Sequence, residues 1–106
     1  VLLGGPEERE TSETLRFPNV NLVGRTSIRQ TLGVLKHLDL VIGADTGFMH
    51  LAAATDRPTV TVFGPTPMLK WSHRYEPHTV ILCPNRDIRQ ASATEIIQAA
   101  RARLGI

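Results

Sequence analysis

Apolar segments of strand character alternate with segments of helical character along the whole chain, and that alternation leaves few folds open. The strand candidates are Val1 to Gly4, Val20 to Val23, Leu40 to Ile42, Thr59 to Phe63 and Thr79 to Leu82. Pro6 opens the first intervening helix where its missing N–H costs nothing, Glu7 and Glu8 complement the positive end, and Phe17-Pro18 stops it. Ser27 with Gln30 forms a capping box for the second helix, whose Ile28, Leu32 and Leu35 share a face. Ser92 with Glu95 repeats the device for the last helix, with Ile96, Ala100 and Leu104 or Ile97, Ala100 and Leu104 expected as its buried stripe. Short strands joined by helical crossovers predict an α/β fold, a parallel sheet with helices on both faces.

Within that frame, residues 43 to 54 carry the most chemistry. Leu40-Val41-Ile42 runs into Gly43, and after a polar turn the pattern becomes the small, helix-forming run that ends at Ala54. The first N–H groups of such a helix lack intrahelical partners and carry the positive end of its dipole, which suits an anion. Asp45 or Thr46 is placed to cap the helix, and Gly47 admits a ligand close to the backbone. His50 lies one helical turn after Thr46, so its ring can face the same mouth.

Four strand candidates end alike, in Gly4-Gly5-Pro6-Glu7, Gly24-Arg25-Thr26-Ser27, Gly43-Ala44-Asp45-Thr46 and Gly64-Pro65-Thr66-Pro67. A parallel sheet puts such turns along its carboxyl edge, where open α/β folds bind ligands, so a shared cleft is predicted. The turns offer hydroxyls at Thr26, Ser27, Thr46 and Thr66, a cation at Arg25 and carboxylates at Glu7 and Glu8. That inventory fits a phosphorylated ligand carrying a ribose.

Several classes are disfavoured. Twelve basic and ten acidic residues are scattered without blocks and sum to +2, which argues against a nucleic-acid partner. A single cysteine, Cys83, excludes an internal disulfide, and no neighbouring motif activates its thiol. The four histidines, His37, His50, His73 and His78, show no zinc-ligand spacing, so no metal site is expected. Neither a transmembrane run nor a signal peptide is present in these residues.

The stretch from Asp39 to Thr66, DLVIGADTGFMHLAAATDRPTVTVFGPT, resembles the signature of the ADP-heptose:lipopolysaccharide heptosyltransferases, glycosyltransferase family 9. Leu2 to Glu10 and Asn21 to Ile28 also sit where that family has similar segments, whereas Phe48 replaces a more usual proline or small aliphatic and the Trp71 to Arg74 region is only loosely similar. The resemblance implies the C-terminal, Rossmann-like domain of a two-domain GT-B enzyme, which binds the nucleotide sugar, with the first βα unit and the N-terminal acceptor domain outside residues 1–106. It implies that Asp45, Thr46 and Gly47 line the donor site, with Thr46 and Gly47 near the diphosphate, that His50 reaches towards the phosphates or the sugar, and that Gly64, Pro65 and Thr66 close the far side of the pocket. One of Glu7 and Glu8 would take the ribose hydroxyls. The donor it implies is a nucleoside diphosphate sugar, ADP-heptose, and the acceptor is the lipopolysaccharide core. No cofactor is implied, and the catalytic base belongs to the acceptor domain, so these residues by themselves are expected to show no turnover. The parent enzyme would work in the cytoplasm, peripheral at the inner membrane.

Other readings stay open on the residues. Asp45 and Thr46 also suit plain helix capping, His50 a half-buried packing role, and Glu7 and Glu8 ordinary dipole-complementing surface charge. A different nucleotide-binding module lacks support, because no G-x-G-x-x-G follows the first strand. A non-catalytic interaction domain that keeps the fold is the remaining alternative.

Overall fold

The computed structural model of the chain describes residues 1–65 and 75–106. The fold divides into two compact units, Val1–Val34 and Leu35–Ile106. Sequence expectations at Thr66, Pro67 and Trp71 to Arg74 fall outside the described residues.

In the N-terminal unit the first two predicted strands meet in a single parallel bridge, Leu2 with Asn21. Leu2 N–H donates to the Val20 carbonyl at 2.9 Å, Leu22 N–H to Leu2 at 3.0 Å and Gly24 N–H to Gly4 at 2.9 Å, so the segments run side by side over a few residues. A 3-10 turn over Pro6–Glu8 leads into helix α1, Arg9–Ser12. This helix ends well before the predicted stop at Phe17-Pro18, and Ser12 and Thr14 bond back to the carbonyls of Arg9 and Thr11. Such side-chain bonds compete with the helical ladder and account for the early end. The Arg9 guanidinium reaches the Val23 carbonyl at 2.8 Å and fastens the helix to the second segment. Helix α2, Ile28–Leu35, starts on the predicted box: Ser27 Oγ accepts from Gln30 N–H at 3.1 Å while Gln30 Oε1 accepts from Ser27 N–H at 3.0 Å.

The C-terminal unit is built on a three-stranded parallel sheet in the order β1-β2-β3: β1 is Val41–Ala44, β2 Thr59–Phe63 and β3 His78–Leu82. The register runs Val41 to Thr59 and Thr59 to His78, so the strand ends are level. All five residues of β2 are buried, as expected for a central strand covered on both faces, and its β-branched residues suit that position. Helix α3, Gly47–Ala54, buries Met49, Ala52 and Ala53. It ends where Thr55 Oγ1 bonds the Ala52 carbonyl at 2.8 Å and Asp56 turns left-handed at φ 57°. Helix α4, Ala93–Leu104, is capped by Ser92, whose hydroxyl accepts from Glu95 N–H at 3.2 Å, and closes on left-handed Gly105; its expected buried stripe is not fully buried, since Ile96 and Ala100 are half-buried and Ile97 and Leu104 exposed.

Two polar devices tie the amino ends of β2 and β3. Thr59 and His78, partners in register and both buried, bond through Oγ1 and Nδ1 at 2.8 Å, which satisfies groups that would otherwise be costly to bury. Arg103, near the end of α4, bonds Thr79 Oγ1 at 2.7 Å and the His78 carbonyl at 3.1 Å, and pairs with Glu76. The apolar core of this unit comprises Leu35, Met49, Val60, Phe63 and Ile81 among others, with Leu35 and Val60 fully excluded from solvent.

Candidate functional site

The carboxyl end of β1 passes into α3 through only Asp45 and Thr46. Thr46 takes the N-cap position with extended backbone, φ −137° and ψ 169°, but its hydroxyl makes no capping bond. The side chain is exposed. The helix start therefore presents backbone N–H groups without the hydroxyl that usually satisfies one of them. Gly47 opens the helix, and a Cβ there would meet no atom of the described residues within 4 Å.

Asp45 and His50 come together across that first turn. His50 Nε2 lies 3.4 Å from Asp45 Oδ1, with the Asp45 side chain 11% exposed and that of His50 40% exposed. A protonated His50 would pair with the carboxylate, and a neutral ring is oriented by it.

What holds the helix in this place is a close fit beneath it. A Cβ at Gly43 would lie 2.9 Å from Met49 Sδ, so the missing side chain of Gly43 lets buried Met49 sit against the strand. The N-terminus of α3 is thereby set beside the end of β1.

The neighbouring strand ends at the same level, with Ala44 opposite Val62. Gly64 is buried, and a Cβ on it would come within 3.1 Å of Ile88, so its lack of a side chain answers to packing first. Pro65 is exposed, and Thr66 lies outside the described residues. Beyond β3 the chain forms two 3-10 turns, Pro84–Arg86 and Ile88–Gln90, which sequence reasoning did not single out; the sequence signal was Pro84, separated from the strand's end by Cys83 alone.

Glu7 and Glu8 belong to the N-terminal unit. Glu7 folds its carboxylate over Gly5 and Glu8 over Gly4, in the space that a Cβ would fill. Both carboxylates also edge a cleft of about 340 Å³ whose lining includes Leu2, Thr11, Leu15 and Val23. Gly24 adopts φ 71°, and a Cβ on it would lie only 3.0 Å from Pro6 Cα, so its missing side chain lets the turn after the second segment pack against Pro6. Two of the four glycine turns are thus adjacent in each unit: those at Gly4 and Gly24 in one, those at Gly43 and Gly64 in the other. Among the described residues no group of three His, Cys, Asp or Glu is placed to hold a metal ion, and no helix is long and apolar enough to cross a membrane.

Comparison with known proteins adds an independent line. The chain is 32% identical over 97 residues to lipopolysaccharide heptosyltransferase 1 of Escherichia coli O18:K1:H7, an alignment covering 90% of this chain and 30% of that protein. It is 38% identical over 63 residues to lipooligosaccharide heptosyltransferase 2 of Haemophilus influenzae, covering 58% of this chain and 18% of the relative. Among solved structures, E. coli heptosyltransferase WaaC with ADP matches with a TM-score of 0.73 and 28% identity over 95% of this chain and 32% of that one. A family 9 glycosyl transferase from Veillonella parvula matches with a TM-score of 0.85 and, at 18% identity, supports the fold. The chain spans no more than about a third of the length of these proteins. The family model for glycosyltransferase family 9 (heptosyltransferase) matches residues 1–100, and with the strand-to-helix turn at Asp45 to His50 now placed, the chain belongs to that family.

Proposed function

We propose that these residues form the donor-binding, C-terminal domain of a lipopolysaccharide heptosyltransferase, and that the donor is a nucleoside diphosphate sugar, ADP-heptose. The observation that carries the reading is the start of α3: extended Thr46 with an uncommitted hydroxyl, no described atom within 4 Å of a Cβ on Gly47, and His50 held beside Asp45. Solved relatives were studied with ADP and with ADP-2-deoxy-2-fluoro heptose, which supports the choice of nucleotide and sugar. In this reading the diphosphate lies on the N–H groups at Gly47 and accepts a bond from Thr46. Pro65 borders it, as does the main chain of Gly64.

The reaction is a displacement at the anomeric carbon. An acceptor hydroxyl of the lipopolysaccharide core forms the new C–O bond with inversion, the bond from that carbon to the diphosphate oxygen breaks, and ADP leaves with the electron pair. The acceptor proton goes to a base in the acceptor domain. Charge on the departing diphosphate grows in the transition state, where the helix dipole and the His50 ring stabilise it more than in the ground state. No metal is needed for that task. The parent enzyme acts at the cytoplasmic face of the inner membrane, where its lipid-anchored acceptor lies, and these residues alone turn nothing over.

Amide chemical shifts of the labelled chain, followed during titration with ADP, UDP and NAD, test the reading. ADP is expected to move Asp45, Thr46, Gly47 and His50 more than UDP or NAD does. Gly47→Ala adds a methyl with no described atom within 4 Å, so it is expected to leave the fold as stable as before while weakening ADP at least tenfold. A folded chain in which no nucleotide moves these amides would refute the assignment, and in that case the non-catalytic alternative gains.

A further inference from the structure

The loop that follows β3 lies on the same edge of the sheet as the Asp45–His50 turn, two strands away or about 10 Å at ordinary strand spacing. It is firmly seated. Cys83 N–H donates to the Phe63 carbonyl at 2.9 Å, and Ile88 packs on buried Gly64. Its two exposed cations differ. Arg89 is committed to Asp87, which accepts from its Nε at 3.0 Å and its Nη2 at 2.9 Å as well as from its backbone N–H. Arg86 is exposed and, among the described residues, forms an ion pair with no carboxylate.

The backbone makes Arg86 an unusual choice. Asn85 and Arg86 are both left-handed, at φ 53° and 56°, a conformation that glycine adopts freely, asparagine tolerates and arginine resists. An exposed arginine held there, with no ion pair, adds nothing evident to the fold. Strained, non-glycine positions of this kind concentrate at ligand sites. Here the strain coincides with an unanswered positive charge on the ligand edge of the sheet.

We propose that Arg86 is a positioning residue for the donor, supplying a guanidinium contact to a phosphate oxygen from the β3 side while α3 holds the diphosphate from the β1 side. The proposal rests on the donor-site reading above. An arginine side chain reaches across most of the width of β2, and a diphosphate with a sugar attached is long enough to meet it. The contact is charge-assisted and is screened by salt.

Three variants of the chain, Arg86→Gln, Arg86→Gly and Arg89→Gln, would be titrated with ADP by amide shifts at low and moderate salt, alongside thermal unfolding. Arg86→Gln is expected to weaken ADP about tenfold and to reduce the salt dependence of binding, whereas Arg89→Gln changes the affinity less than twofold. Arg86→Gly is expected to weaken ADP equally while leaving the Tm unchanged or higher, which a merely structural role would not produce. If Arg86→Gln binds ADP within twofold of the parent and Thr46 to His50 still shift, the proposal fails and the donor site stands. If ADP moves none of Asp45 to His50 in the parent chain, the donor site fails and the proposal falls with it.

Discussion

Replacing Arg103 by methionine removes a guanidinium while keeping an unbranched apolar stem, and the cost can be worked from its partners. Its side chain is 21% exposed and bonds Thr79 Oγ1 at 2.7 Å and the His78 carbonyl at 3.1 Å. Hydrogen bonds with one charged partner contribute roughly 1.5–3 kcal/mol each, and an acceptor left buried without a donor sits towards the upper end. Water can reach half-buried Thr79 and recover part of the loss, so Arg103→Met is expected to cost about 2–3 kcal/mol. Glu76 is different: 82% of its side chain is exposed, and surface pairs add little, so Glu76→Gln is expected to cost a small fraction of that. In urea, with a slope of about 1 kcal/mol/M for a chain of this size, Arg103→Met moves the midpoint down by about 2–3 M at unchanged slope. Equal losses for Arg103→Met and Glu76→Gln would refute the reasoning, because the surface ion pair would then outweigh the bonds to the strand. An Arg103→Met midpoint within about 0.3 M of the parent would refute it as well.

Acid sensitivity follows from the same pair. The Arg103 hydrogen bond and charge hold the Glu76 carboxyl below its usual 4.5, and the Arg89 hydrogen bond holds Asp87 below its usual 3.8. A carboxyl with a depressed folded pKa adds stability above its unfolded value and loses it as pH falls through the folded one, so stability is expected to drop from about pH 5 towards pH 3. Arg103→Met is expected to flatten that slope in urea midpoints measured across the range. Gly43→Ala forces a methyl against Met49 Sδ, and we expect a loss of about 1–2 kcal/mol that Met49→Ala partly relieves; strict additivity in the double mutant would count against the contact. Gly24→Ala meets both a positive φ and the Pro6 backbone at 3.0 Å, and a loss above about 1 kcal/mol in thermal unfolding is expected; an unchanged Tm would show that the turn rearranges freely.

The parts of the fold written in local pattern were legible in the sequence. Thr59–Phe63 was read to the residue because a fully buried strand is continuously apolar or β-branched, and β3 begins only one residue earlier than read. Ser27 with Gln30 and Ser92 before Glu95 were legible because capping is decided within four residues. The first two segments were read as full strands but form one bridge, since ladder length depends on what lies alongside, and Val20 and Leu22 carry no record of it. At the site, helical spacing put His50 one turn after Thr46, but its pairing with Asp45 was not read from the sequence, because it depends on how the turn before the helix folds back. Nor was the free hydroxyl of Thr46, because a threonine in that place ordinarily caps. Bonds between distant elements, such as Arg103 with His78 or Thr59 with His78, depend on strand register and on where α4 docks, which no short window of sequence contains.

The fit of Met49 over Gly43 bears on how fast a ligand can be captured. A helix wedged against its strand by a buried thioether has its ordering entropy settled when the chain folds, so in the proposed donor site the N–H groups at Gly47 would meet a ligand already aimed. Association at this turn would then proceed in one step at a rate set by diffusion and charge, without a preceding rearrangement of α3. Loosening the wedge, by Met49→Ala for instance, would convert that single step into two and slow capture before it weakened the complex.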